Sequence, residues 1–196
     1  LSTIIEGSGV DISYYRPRPM PKITQFLCIS RFVNAKGLKE YVAAAAAVKA
    51  IYPNVRFNLL GYHCPGNVDA IPEVEVDQWV EQKVVDVLDY VDDVRPVLEN
   101  YCQIFVLPSY REGLSRSALE AMAIGRPLIL TNVPGCKSLV IEGKNGLLVP
   151  AKDSTALTKA MIKMIGYSHR ELEAMGSRSR EMVCEKFSCK KINQHF

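Results

Sequence analysis

Two glutamates, Glu112 and Glu120, stand with seven residues between them in the stretch PSYREGLSRSALEAMAIGRPLIL, residues 108–130. Paired carboxylates can act as acid and base, or can hold the hydroxyl groups of one ligand, because an ionised carboxylate only accepts hydrogen bonds. Spacing separates the two chemistries. Were residues 112–120 all helical, eight rises of about 1.5 Å would put the Cα atoms about 12 Å apart. Glycosidase carboxyl pairs stand about 5 to 9.5 Å apart, so this pair suits the two ends of one ligand with a diphosphate between them. A nucleotide sugar has that form, with hydroxyls on its sugar and on its ribose. The plainer alternative is an exposed loop charge at Glu112 and a solvated helix residue at Glu120. Ala118, Leu119, Ala121 and Met122 make that helix mostly buried, however, and a charge there requires a partner.

A second group is cationic. Arg31, Lys36 and Gly37 fall in the loop after an apolar run and at the start of a helix, where unpaired amides and the positive end of the helix dipole favour anions. Alone they could be ordinary solvated charges. The other loop adds to them: Gly113 would let the backbone approach a ligand, and the amides of Leu114, Ser115, Arg116 and Ser117 would open the next helix toward the same place. Two helix starts and two cations would then converge on a diphosphate.

The elements that must position these residues are legible as alternating runs. ITQFLCIS (23–30) reads as a buried strand, and GLKEYVAAAAAVKAIYP places Leu38, Tyr41, Val42, Ala45 and Val48 at helical spacing until Pro53 stops it. VRFNLLG is a strand, VDQWVEQ a short helix, VVDVLDYV a strand, VRPVLENY a helix, and QIFVLPS and PLIL two further strands. Asn145-Gly146 reads as a tight turn before the strand LLVP. Terminal helices are expected at 154–165, 168–186 and from about Cys189 to the end, while the alanine run 43–47 is a good helix former packed close to the sheet. Continuous apolar strands separated by helices predict an α/β fold, a Rossmann-like doubly wound parallel sheet with helices on both faces and its ligand at the carboxyl ends of the strands. The opening residues 1–20 have no helical period and end in alternating prolines, as a connector would. Residues 21–196 form the domain proper.

Composition agrees with a globular α/β domain. The chain has 196 residues, 48% of them hydrophobic, and a formal net charge of +3. That excess is far from the basic footprint of a nucleic-acid binder, though it suits an anionic small molecule or an anionic membrane face. No run of about 20 apolar residues or signal peptide is visible. The six cysteines contain no C-x-x-C pair and the three histidines are scattered, so reduced thiols and no metal site are expected. GSGV at 7–10 lacks the third glycine of a dinucleotide fingerprint.

Arg31 with Lys36-Gly37, followed by EGLSRSALEAMAIGRPLILTNVPGCKSLVIEGKNGLLVP, resembles the C-terminal, donor-binding domain of the family-4 retaining glycosyltransferases of two-domain GT-B fold. The likeness runs from GSGVDISYY, similar to the family's interdomain linker, to the terminal helices. YREGLSRSALEAMA, DVRP and the Trp79 region are most similar to bacterial enzymes that build capsule, lipopolysaccharide or other lipid-linked glycans. The resemblance implies a hexosyltransferase using a nucleotide-sugar donor, UDP with GDP the alternative, a glycan or lipid-linked acceptor, and an N-terminal domain of the same enzyme as partner. It implies no cofactor, no metal and a cytoplasmic location, with contact at the inner membrane through the full-length protein. Arg31 and Lys36 would bind the diphosphate, Glu112 the donor sugar, and Glu120 the ribose. Leu88 to Val91 would line the base pocket, with Val91 on the ring.

Two departures fall near that base pocket. Asp89 stands where the family usually has glycine, and GYHCPGN at 61–67 replaces a Gly-Pro-Pro-Asp-like run. Thr131, Asn132 and Gly135 would face the ligand edge as turn formers, and His63 and Cys64 are ordinary loop residues that could reach a ligand. Other functions remain open at this point: a nucleotide-sugar epimerase or phosphorylase on the same fold, or a binding module without turnover. A glycosidase fails on the glutamate spacing.

Overall fold

The computed structural model describes residues 9–189 and 191. Six parallel strands form one sheet in the order β3-β2-β1-β4-β5-β6: β1 Gln25–Ile29, β2 Arg56–Leu60, β3 Asp86–Leu88, β4 Ile104–Leu107, β5 Leu128–Thr131 and β6 Gly146–Val149. The helices between them are α1 Leu38–Ile51, α2 Glu73–Glu81, α3 Arg95–Tyr101, α4 Arg116–Ile124, α5 Pro134–Lys137, α6 Ser154–Ile165 and α7 His169–Met182. This is the expected Rossmann-like sheet. α1 packs on α6, and α3, α4 and α7 pack together as a second layer. β4 and the β5 run Leu128, Ile129 and Leu130 are buried throughout, the continuous apolar character of a strand covered on both faces.

Strand order reverses between β1 and β4, which grow outward in opposite directions. A crevice opens there because the loops after the two strands lead away from each other, and ligands of open α/β sheets bind in it. The loop after β1 carries Arg31 and Lys36, and the loop after β4 carries Glu112.

Local expectations hold with a few shifts. Ala44 and Ala45 of the alanine run are fully buried, while residues 43, 46 and 47 face outward. α2 begins at Glu73, three residues ahead of the VDQWVEQ run, with Pro72 in extended conformation at its N-cap. β3 is shorter than expected. α7 opens with a capping box in which the Ser168 hydroxyl accepts from the Glu171 amide and the Glu171 carboxylate accepts from the Ser168 amide. It then widens into a π-helix over Val183–Phe187. The terminal helix expected from about Cys189 onward, and residues 1–8 of the connector, lie outside the described residues.

The turn expected at Asn145-Gly146 is displaced. Gly146 is the first residue of β6, and Gly143 takes the left-handed conformation at φ 70. Asn145 is fully buried: its carboxamide oxygen accepts from the Ile141 amide at 2.7 Å and its NH2 donates to the Leu139 carbonyl at 2.9 Å. The side chain closes the turn from inside, which a short-range turn signal does not reveal.

The connector folds back onto α4. Arg126, fully buried, donates to the carbonyls of Leu98, Arg18 and Pro19. Arg180 on α7 donates to the carbonyls of Tyr15 and Ile12 and to that of Ala123. Val10 also bridges to Ser188, so both ends of the described chain meet beside α4.

Candidate nucleotide-binding site

A cavity of about 520 Å³ occupies the crevice between β1 and β4. Ile29, Ser30 and Arg31 line it from the β1 side, Leu114, Ser115, Arg116, Ser117 and Glu120 from α4 and its approach, and Tyr90, Val91 and Asp92 from beyond β3. That volume suits a small-molecule site. Of the residues singled out in the sequence, Arg31, Lys36, Glu112, Val91, Leu114, Ser115, Arg116, Ser117 and Glu120 all reach it, and Gly37 and Gly113 do not.

Lys36 is fixed by its loop. Its neighbour Ala35 donates its amide to the Asp69 carboxylate at 2.9 Å and accepts at its carbonyl from the Tyr110 amide at 2.8 Å, and the Tyr110 hydroxyl donates to Glu40 at the start of α1. The loops after β1 and β4 are therefore tied to each other. Across that tie the Lys36 ammonium pairs with the Glu112 carboxylate, which also accepts from the Ser109 hydroxyl at 2.9 Å. Glu112 is not a solvated loop charge: its side chain is only 11% exposed. An ammonium has three protons, so Lys36 can hold Glu112 and still donate into the cavity. Arg31 is exposed on the rim, with a guanidinium available to an anion.

α4 supplies the amides. The Ser115 hydroxyl accepts from the Ala118 amide at 3.3 Å, while amides of the first turn have no helical carbonyl to bond. The Ser117 hydroxyl donates to the Ile29 carbonyl at 3.2 Å, pinning the helix start to the end of β1. One turn on, Glu120 is partly buried beside the Tyr15 phenol and Arg116. Burial raises its pKa against the opposing effects of the Tyr15 hydrogen bond and the Arg116 charge. The two glutamates thus stand in one cavity with separate partners.

One glycine assignment changes. Gly37 holds φ 70 as the residue ahead of α1, and a Cβ there would lie 2.1 Å from the Pro108 carbonyl oxygen; it lets the two loops touch and does not line the cavity. Gly113 has open space where its Cβ would be. A close backbone approach falls on Gly135, whose Cβ would meet the Gly113 carbonyl oxygen at 1.3 Å. Gly135 and Thr131 therefore support the ligand loop from behind, the Thr131 hydroxyl donating to the Ser109 carbonyl at 2.6 Å in a buried position. They do not line the cavity, and neither does Asn132.

On the side of the expected base pocket, Tyr90 and Val91 line the cavity and Leu88 and Asp89 do not. Leu88 ends β3, half-buried and packed against the hydrophobic core. Tyr62, within the atypical GYHCPGN run, lines the rim and meets Tyr90 edge to face at 6.2 Å between ring centroids. His63 packs edge-on against Phe32 at 5.0 Å, and neither it nor Cys64 lines the cavity. Tyr90 falls within the Leu88 to Val91 segment expected to line the base pocket, whereas sequence reasoning missed Tyr15 and Tyr62. For Tyr62 the one available signal was position, since it follows a strand at the ligand edge, and nothing local shows that Tyr15 folds back to it.

Among the described residues no cluster of three or more His, Cys, Asp or Glu could hold a metal ion, and no helix is long and apolar enough to cross a membrane. Burial pushes the thiols of Cys28 and Cys102 up to about 12, which makes them poor nucleophiles.

A 3-2-1-4-5-6 parallel sheet with helices on its faces and a cavity at its switch point is a Rossmann-type domain, here one half of the GT-B architecture. The chain belongs to the glycosyl transferases group 1 family, whose match covers residues 24–166. It is 28% identical over 203 residues to a putative colanic acid biosynthesis glycosyltransferase, WcaL, of Salmonella typhimurium, covering 97% of this chain and 48% of that protein. Among solved structures, the sucrose-phosphate synthase of Thermosynechococcus elongatus superposes with a TM-score of 0.83 at 26% identity, covering 96% of this chain and 49% of that one. Anabaena HepE, solved with UDP and glucose, shares the fold with a TM-score of 0.79 at 21% identity, over 95% of this chain and 53% of its own. The chain spans about half the length of the curated relatives it matches.

Proposed function

We propose that this chain is the donor-binding half of a retaining glycosyltransferase that moves a sugar from a UDP-sugar to a glycan or lipid-linked acceptor in surface polysaccharide biosynthesis. The observation that carries the reading is the convergence of Arg31, Lys36 and the first turn of α4 on one cavity with Glu112 and Glu120 in its walls. The likeness to a colanic acid glycosyltransferase supports the pathway class, and the UDP in HepE supports the choice of nucleotide. Arg31 and Lys36 take the diphosphate, Glu112 the hydroxyls of the sugar, Glu120 the ribose and Val91 the base. The bond between the anomeric carbon and the β-phosphate oxygen breaks as the acceptor oxygen bonds to that carbon on the same face. The acceptor's proton passes to the departing phosphate. The charge that develops on the phosphate is stabilised by the two cations and the helix start, so no metal is required and no side chain of this chain acts as covalent nucleophile.

Acceptor recognition belongs to another domain of the enzyme, placed N-terminal to this one, with residues 1–20 as the link between them. The whole protein works in the cytoplasm and meets a lipid-linked acceptor at the face of the inner membrane. Holding two reactants in register can account for roughly 7 to 11 kcal/mol of a barrier, so this domain alone should bind donor without transferring it. Titration calorimetry against a panel of nucleotide sugars, with and without chelator, tests the assignment. Expected are UDP-sugar binding in the high micromolar range that chelator leaves unchanged, and no product until the other domain is present. Failure to bind any nucleotide sugar, robust transfer by this chain alone, or an inverted product from the whole enzyme would overturn it.

A further inference from the structure

Tyr15 comes from the connector, yet it lines the main cavity beside Glu120 and also a second cavity of about 290 Å³ behind it, shared with Asp11, Arg116 and Cys189. Its backbone is not loosely placed. The Arg180 guanidinium donates to the carbonyls of Tyr15 and of Ala123 at 2.7 Å each, and so ties the connector to α4, the helix that bears Glu120. Asp11 closes the preceding turn by accepting from the Ser13 amide and hydroxyl and the Tyr14 amide. The Tyr14 ring lies under the Arg95 guanidinium at 3.7 Å. The phenol of Tyr15 is thus delivered to Glu120 by a braced segment.

We propose that Tyr15 is a positioning residue for Glu120: standing beside it in the walls of both cavities, its phenol engages the carboxylate and turns the remaining acceptors toward the nucleoside, so that nucleoside affinity depends on the seating of the connector. The proposal rests on the reading of Glu120 as the ribose ligand given above and goes beyond it. A half-buried carboxylate with no donor beside it tends to take up a proton, and a protonated carboxyl loses acceptor capacity for sugar hydroxyls. Two groups oppose protonation of Glu120, the Tyr15 phenol from the connector and the Arg116 guanidinium from its own helix, and burial favours it. Asp11 and Cys189 flank the rear cavity, and Arg31 and the Lys36–Glu112 pair line the main one. Arg116 is exposed, so its charge is screened by water more than the phenol's contact is.

The test compares the unmodified chain with Tyr15→Phe, Glu120→Gln and the double variant, using UDP and inorganic pyrophosphate as probes across the acid to neutral range. Phenylalanine keeps the ring and its packing, and a cooperative unfolding transition, lowered by no more than the loss of one hydrogen bond, verifies that. Tyr15→Phe should weaken UDP by about three- to tenfold, the loss expected of one hydrogen bond, and leave pyrophosphate unchanged. It should also move the midpoint of the pH dependence of UDP binding upward, because the group opposing protonation is gone. On the Glu120→Gln background the same change should have little further effect. Tighter UDP binding by Tyr15→Phe would mean that the phenol competes with the ligand. Equal losses on both backgrounds, or a matching loss of pyrophosphate, would mean that it acts elsewhere. Each of these overturns the proposal. If UDP affinity is untouched by Glu120→Gln, or absent in the unmodified chain, the reading of the site itself falls first.

Discussion

The carbonyl oxygen of Gly113 occupies the space where a Cβ on Gly135 would stand, 1.3 Å away, so the loop carrying Glu112 rests backbone to backbone on the start of α5. The supporting partner is therefore as sensitive as the ligand loop. Gly135→Ala must push the loop off its seat, and overpacking of this kind costs typically about 1–3 kcal/mol. We expect a lower melting temperature and weakened UDP binding from Gly135→Ala. Gly113→Ala, which enters open space, should leave the melting temperature nearly unchanged.

Removing either cation should separate binding from stability. Hydrogen bonds to charged groups contribute about 1.5–3 kcal/mol, so Arg31→Ala and Lys36→Ala should each weaken UDP and pyrophosphate by about tenfold or more. Arg31 is exposed and its removal should not alter thermal unfolding. Lys36 pairs with Glu112, whose side chain is 11% exposed, so Lys36→Ala should also lower stability by leaving that carboxylate without its cation. Calorimetry paired with melting curves reads both effects.

The two glutamates should differ in ligand response. Glu120→Gln is expected to weaken UDP and UDP-sugars alike, and Glu112→Gln to spare UDP while blurring discrimination among sugars. Equal loss of UDP affinity in both would refute the division.

Glu120 also carries a pH signature in stability. Burial raises its folded-state pKa, so between the ordinary carboxylate value and the raised one the folded chain binds more protons than the unfolded one. Stability contributed by this group falls as pH rises through that window. Glu120→Gln abolishes the titration, so it should unfold at higher denaturant concentration than the unmodified chain at neutral pH while binding UDP less well.

Arg126 should behave as a structural residue. Arg126→Met leaves the carbonyls of Leu98, Arg18 and Pro19 without their donor in a buried place, and unmade bonds of that kind cost about 1–3 kcal/mol each. Urea unfolding should show a loss of more than about 2 kcal/mol, and limited proteolysis should cut near Arg18 first.

What the sequence determined by itself was the order of elements and which charged residues come to line the cavity. Apolar strand runs and helical spacing are local properties of the chain, as is the placement of Arg31, Lys36, Glu112 and Glu120 at strand ends and helix starts, so the sheet and the crevice could be read before any contact was known. The roles of Gly37, Gly113 and Gly135 were not legible, because a glycine's need is set by whatever backbone approaches it from elsewhere. Nor was the inward seating of Tyr15, which depends on Arg126 reaching Arg18 across 108 positions and Arg180 reaching Tyr15 across 165. Bonds between segments so far apart leave no periodicity and no motif in either one. They exist only once α4 and α7 have packed, and that packing decides which residues stand beside Glu120.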